Sequence, residues 1–155
     1  MNSNDLKLNQ IQVIGSHNSY RIHPVQDMFN LMTGLNPELA AKLDYGHPSF
    51  DVQFSQHGIR QIEIDVYHDP EGGLFYNQRG NLFIGLPVPS GIEELLNPGL
   101  KVLHFPDIDY RTHYLTFIDA LTAVKTWSDA NPNHIPIFIL VEAKEDGLAN
   151  VYPSL

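Results

Sequence analysis

Chemically capable side chains gather where the chain's short apolar runs end. Ser16-His17-Asn18-Ser19-Tyr20 follows the first run, Glu63 and Asp65 lie in the second, His104 closes the third with Asp107 and Asp109 just beyond, and Glu142 and Lys144 close the fourth. Residues two apart on a strand point to the same side, so Glu63 and Asp65 present two carboxylates together. That arrangement costs repulsion unless a cation or a proton joins them. Adding Glu142 and the amide oxygen of Asn18 gives an all-oxygen set, which suits Ca2+, with Mg2+ as the alternative, better than zinc. His17 and His104 sit at the ends of different runs on one rim. Imidazoles titrate near neutrality, so one can remove a proton while the other donates one. With a cation stabilising the transition-state charge, this is acid-base chemistry on a phosphodiester.

Four β-type runs carry these groups: Ile11 to Ile14, Gln61 to Tyr67, Lys101 to His104, and Pro136 to Glu142. Ser49 can cap a helix over Phe50 to Gln56, stopped by Gly58, and Thr112 or Thr116 can begin another. In the latter, Phe117, Leu121, Val124 and Trp127 recur at helical spacing until Asn131 and Pro132. Strand and crossover in succession, with the last run continuously apolar, predict α/β architecture with a parallel sheet covered on both faces. Its C-terminal rim is where such folds do chemistry. Residues 69–99, rich in glycine and proline, predict a small hairpin and a loop excursion within the domain.

The 155 residues, 43% hydrophobic and 17% charged, suit one globular domain. Eighteen acidic against nine basic residues give a formal charge of −9, a field that opposes nucleic acid and anionic bilayers. Without cysteine there are neither disulfides nor thiolate metal sites. No apolar segment approaches the roughly 20 residues that span a bilayer. Met1 to Asn9 is polar and lacks a signal-peptide core, which leaves the compartment open between a cytoplasmic chain and an exported one whose signal is gone.

Four blocks, Ile14-Gly-Ser-His-Asn-Ser-Tyr20, Gly58-Ile-Arg-Gln-Ile-Glu-Ile-Asp65, Val102-Leu-His-Phe-Pro-Asp-Ile-Asp109 and Pro136-Ile-Phe-Ile-Leu-Val-Glu-Ala-Lys144, run in order across nearly the whole chain. The ordered set resembles the N-terminal, X-type half of calcium-dependent, phosphoinositide-specific phospholipase C, in its microbial branch. Phe105, where the mainstream family has glycine, fits that branch.

The resemblance implies a TIM-barrel-like phosphodiesterase fold of which residues 1–155 form the first half, strands one to four. It implies that His17 deprotonates the inositol 2-hydroxyl for attack on phosphorus, expelling diacylglycerol, and that His104 stabilises the pentavalent intermediate and protonates the leaving group. Asn18, Glu63, Asp65 and Glu142 would hold calcium, which lowers the pKa of the attacking hydroxyl. Lys144 and Arg60 are the candidates for phosphate or headgroup contacts. A half barrel lacks much of the inositol pocket, so weak catalysis by this chain is expected, and its open sheet edges invite self-association. The substrate is a lipid, so peripheral membrane contact is expected too.

Other readings of these residues are concrete. His17 and Asn18 could cap a turn, Glu63 and Asp65 could face solvent on an edge strand, and Lys144 could be the salt-bridge partner of Glu142. Asp107 and Asp109 are read as orienting His104 or capping a turn. His23, His47, His57, His68, His113 and His134 are read as surface residues. A glycerophosphodiester phosphodiesterase shares the histidine-carboxylate logic, but its first strand leads into His-Arg where this chain has Asn18. A noncatalytic, barrel-derived binding domain is the remaining alternative.

Overall fold

In the sequence around Ile62, β-branched residues alternate with acidic and aromatic ones, a pattern that suits a pleated strand with two unlike faces. The computed structural model, which describes residues 7–145, forms that strand at Gln61–Asp69 (β1). Ile62, Ile64 and Val66 are buried on one face and Glu63, Asp65 and Tyr67 on the other. β1 is central: Phe138–Lys144 (β3) pairs with it in parallel from Gln61 opposite Phe138 to Tyr67 opposite Lys144, and Gly99–Lys101 (β2) pairs antiparallel with its far end. The result is a mixed α/β domain around a three-stranded open sheet.

Two helices cover the isoleucine face. Phe50–Gln56 (α3) and Phe117–Ala130 (α4) bring Phe50, Phe54, Ala120 and Trp127 against Ile62, Ile64 and Val66. Burying each isoleucine is worth about 1.5–3 kcal/mol, so the alternation itself fixes which face receives the helices. Gly58, at φ +66°, stops α3 as expected. Of the two candidate threonines it is Thr116 that starts α4, through a capping box with Asp119. The buried stripe runs through Ala120 and Trp127, while Leu121 faces solvent.

Helices Gln26–Leu35 (α1) and Pro37–Lys42 (α2) have no counterpart among the expected elements. Their signature is local: the Asn36 side chain accepts from Leu39 N at 3.0 Å and Pro37 opens α2. Met28, Met32, Ala40 and Leu43 pack on Ile108, so this pair braces the loop after His104.

Four expectations need correction. The run Ile11 to Ile14 forms no strand; Gly15 makes one parallel bridge to Gln61, and Ile14, 68% exposed, gains nothing by extending it. The third run contributes a strand only at Gly99–Lys101, antiparallel, so the sheet is not purely parallel and the fourth run pairs directly with the second. β3 is not covered on both faces: Leu140 and Val141 are 60% and 42% exposed. Residues 69–99 hold 3-10 turns at Arg79–Ile84 and Glu93–Leu96 and an isolated bridge from Asn77 to Pro89, not a hairpin. Among the described residues no helix is long and apolar enough to cross a membrane. Most of the polar stretch Met1 to Asn9 lies outside the described residues.

Candidate functional site

The parallel register of β1 and β3 sets Glu142 beside Asp65, and the two-residue repeat of β1 adds Glu63 on the same face. One oxygen from each of these carboxylates lies within 4.8 Å of the others. Glu63 and Asp65 are buried and Glu142 is exposed, which makes a cluster open on one side.

In each buried carboxylate one oxygen is fixed and the other left over. Glu63 Oε2 accepts from the backbone N–H of Asn18 at 2.6 Å, while Oε1 has no partner. Asp65 Oδ2 accepts from the Tyr20 hydroxyl at 2.8 Å and meets Lys144 Nζ at 2.7 Å, while Oδ1 has no partner. A buried carboxylate oxygen without a donor is costly, and a hard cation would satisfy both. The cluster therefore fits a calcium or magnesium ion. Of the expected set, Asn18 stands alongside: its Oδ1 is 3.5 Å from the Tyr20 hydroxyl that holds Asp65.

Burial, with the neighbouring Asp65 adding to it, pushes the Glu63 carboxyl up to about 7 from an ordinary value near 4.5. A raised acid favours the folded state below its unfolded pKa, and that contribution is lost as pH rises through the folded value. The cation-free chain should thus lose stability between about pH 4.5 and 7. Urea unfolding in chelator at pH 5 and pH 8 measures it, and the loss should be smaller in Glu63→Gln. Equal losses in both proteins would show that Glu63 does not carry the effect. Burial and the Asp65 charge push the Tyr20 hydroxyl well above its ordinary range, so it stays a proton donor to Asp65.

The turn bearing His17 is locked onto β1. Asn18 takes a left-handed conformation (φ 50°), which asparagine tolerates better than most residues. Ser19 N donates to Glu63 O at 3.0 Å, and Glu63 N donates to Ser19 Oγ at 2.9 Å. Gln53 of α3 closes the turn by donating to Ser19 O at 2.7 Å. His17 itself is exposed, with Nδ1 3.4 Å from the Tyr45 hydroxyl.

His104 is buried, and its Nδ1 lies 2.7 Å from Asp109 Oδ2. Asp109 thus orients His104, as its spacing suggests. Asp107, at φ 72°, instead shapes the turn: its Oδ1 accepts from Arg79 N at 2.6 Å and its N–H donates to Gln78 Oε1 at 2.8 Å. Gly80 is required there, since a Cβ would stand 2.2 Å from Asp107 O.

Several of the named residues meet other partners in the fold. Lys144 pairs with Asp65, not Glu142, and its ammonium lies 5.2 Å from the centre of the Phe105 ring. The Arg60 guanidinium stacks on Trp127 at 4.9 Å and donates to the carbonyls of Phe54 and Ile59, on the helix-covered face of β1. His47 and His113 are not free surface groups. His47 Nε2 is 2.9 Å from His17 O, His113 Nε2 is 2.7 Å from His47 O, and partial burial holds the His47 ring below its ordinary pKa. Tyr20, Arg21, Tyr45 and Gln53 escaped the sequence reading; only Tyr20, inside the first block, carried any signal.

The family described as phosphoinositide phospholipase C, Ca2+-dependent, matches residues 6–153. Neither the curated proteins nor the solved structures yield a match. The family match takes in both histidine turns and all three clustered carboxylates: the chain belongs to the Ca2+-dependent phosphoinositide phospholipase C family.

Proposed function

We propose that this chain cleaves phosphatidylinositol-type lipids by attack of the inositol 2-hydroxyl on phosphorus, at a site built from His17, His104 and a calcium ion. The ion would be held by Glu63, Asp65 and Glu142 with Asn18. The observations that carry the reading are the clustering of Glu63, Asp65 and Glu142 within 4.8 Å and the partnerless oxygen on each of the two buried carboxylates, with Glu63 one hydrogen bond from the His17 turn. Calcium bound there supplies positive charge against the charge that develops on the phosphoryl oxygens.

His17, exposed on its turn, takes the proton of the 2-hydroxyl; the new O–P bond forms as the P–O bond to diacylglycerol breaks. His104, held by Asp109, gives its proton to the departing oxygen. Phosphorus stays on the inositol as a cyclic phosphodiester. Lys144, paired with Asp65 Oδ2, offsets the carboxylate charge at the end of β3.

The fold proposed around this site is part of a TIM-barrel-like domain, with residues 1–155 its first half. The free edge of β3, with Leu140 and Val141 exposed on its two faces, is where further strands, or a second copy, would pack. Leu82, Phe83 and Leu86 are exposed around the turn pinned to Asp107, beside His104, and are proposed to enter the bilayer that presents the substrate.

Phosphorus NMR of the reaction with phosphatidylinositol should show a cyclic inositol phosphate as first product, suppressed by chelator. Glycerol phosphate released from deacylated glycerophosphoinositol, with phosphatidylinositol left intact, would instead indicate a glycerophosphodiesterase. Serine at positions 82, 83 and 86 should lower cleavage of vesicle substrate about tenfold or more and spare monomeric short-chain substrate. Equal losses on both substrates would remove the bilayer role.

A further inference from the structure

Arg21 is fully buried, and its guanidinium is the meeting point of two hydrogen-bonded branches. In one, Nε donates to Asp109 Oδ2 at 2.6 Å, the oxygen that also holds His104 Nδ1 at 2.7 Å. In the other, Nη1 donates to the carbonyl oxygen of Tyr45, whose ring stands 4.8 Å from the guanidinium carbon. The Tyr45 hydroxyl in turn accepts from Asn18 Nδ2 at 2.8 Å and lies 3.4 Å from His17 Nδ1. The Arg21 backbone closes the circuit: its N–H donates to Asn18 O at 2.9 Å and its carbonyl accepts from His47 N at 2.9 Å.

We propose that Arg21 and Tyr45 are positioning residues that orient both histidines as one unit, Arg21 acting on His104 through Asp109 and Tyr45 acting on His17. Each imidazole then meets an oxygen at Nδ1, so that the ring donates there and Nε2 is directed to the substrate, as a lone pair that takes a proton in neutral His17 and as the N–H that gives one in protonated His104. A phenol oxygen has two acceptor lone pairs, enough for both Asn18 Nδ2–H and His17 Nδ1–H. A planar guanidinium presents donors in a fixed fork, which lets one buried side chain fix the Asp109 carboxylate and the Tyr45 backbone at a set separation. Lysine, a single ammonium on a flexible stem, cannot.

The inference rests on the phosphodiesterase reading only for its kinetic consequence. The direct test records the ring nitrogens of His17 and His104 by 15N–1H NMR at a pH where both are neutral, without substrate, in the wild-type chain, Tyr45→Phe and Arg21→Lys. The wild type should show both rings in the Nδ1–H form. Tyr45→Phe should release His17 alone to the mixed tautomers of free histidine, and Arg21→Lys should release both. Tyr45→Phe removes one hydroxyl from a half-buried ring, so it keeps the test valid if Arg21→Lys fails to fold. In turnover, Tyr45→Phe should lower kcat roughly tenfold to a hundredfold with KM little changed, the signature of a misplaced group. Folded variants whose ring signals match the wild type would overturn the proposal. Failure of the wild type to cleave phosphatidylinositol would count against the functional reading and leave the ring result standing.

Discussion

His104→Ala is expected to lower phosphatidylinositol turnover by roughly a hundredfold to ten-thousandfold, the range that positioned acid-base groups supply. His17→Ala should fall in the same range, and the double variant should be little worse than either single one, because the two act on one proton-transfer sequence. Their side effects should differ. His104 is buried and bonded to Asp109, so its loss strands a carboxylate that then has only Arg21, and stability should fall. His17 is exposed, so His17→Ala should leave thermal unfolding nearly unchanged. Turnover, KM and unfolding temperature, measured together, check this. If His17→Ala keeps wild-type turnover, the base is elsewhere.

The carboxylates should respond with opposite signs in stability and one sign in calcium. Glu63 is buried against a neighbouring carboxylate that pushes its pKa up, so Glu63→Gln should stabilise the cation-free chain at pH 8. Its amide oxygen can still accept from Asn18 N. Asp65 is paired with Lys144 and Tyr20, and removing one partner of a buried pair costs about 3–5 kcal/mol, so Asp65→Asn should destabilise it. Both should abolish the calcium-dependent rise in unfolding temperature expected of the wild type. Thermal unfolding with and without millimolar calcium separates the cases. A calcium shift preserved in both variants would exclude this cluster as the site.

How far the sequence could be read depended on whether partners lay close along the chain. The alternation Ile62-Glu63-Ile64-Asp65-Val66 specified a strand, its core face and its carboxylate face, because a period of two leaves little freedom once one face is buried. Phe50–Gln56 was legible from Phe50, Phe54 and Gly58. The antiparallel direction of β2 was not: three residues carry too little pattern to reveal a partner. Of the candidate site residues, His17, His104 and Glu142 drew notice at the ends of apolar runs, and Glu63 and Asp65 by their two-residue spacing within one. Arg21 did not, because its partner Asp109 is 88 positions away, and Tyr45 meets His17 across 28. The partner of Arg60 was hidden for the same reason: it adjoins the acidic strand in sequence but turns to Trp127 on the other face.

Calorimetric titration of calcium into the wild-type chain at pH 7.5 tests the central claim most directly. One saturable site, absent from the Glu63→Gln and Asp65→Asn variants, is the result expected of a carboxylate cluster that holds a cation. No binding heat at any temperature, in a sample that still unfolds cooperatively, would contradict it.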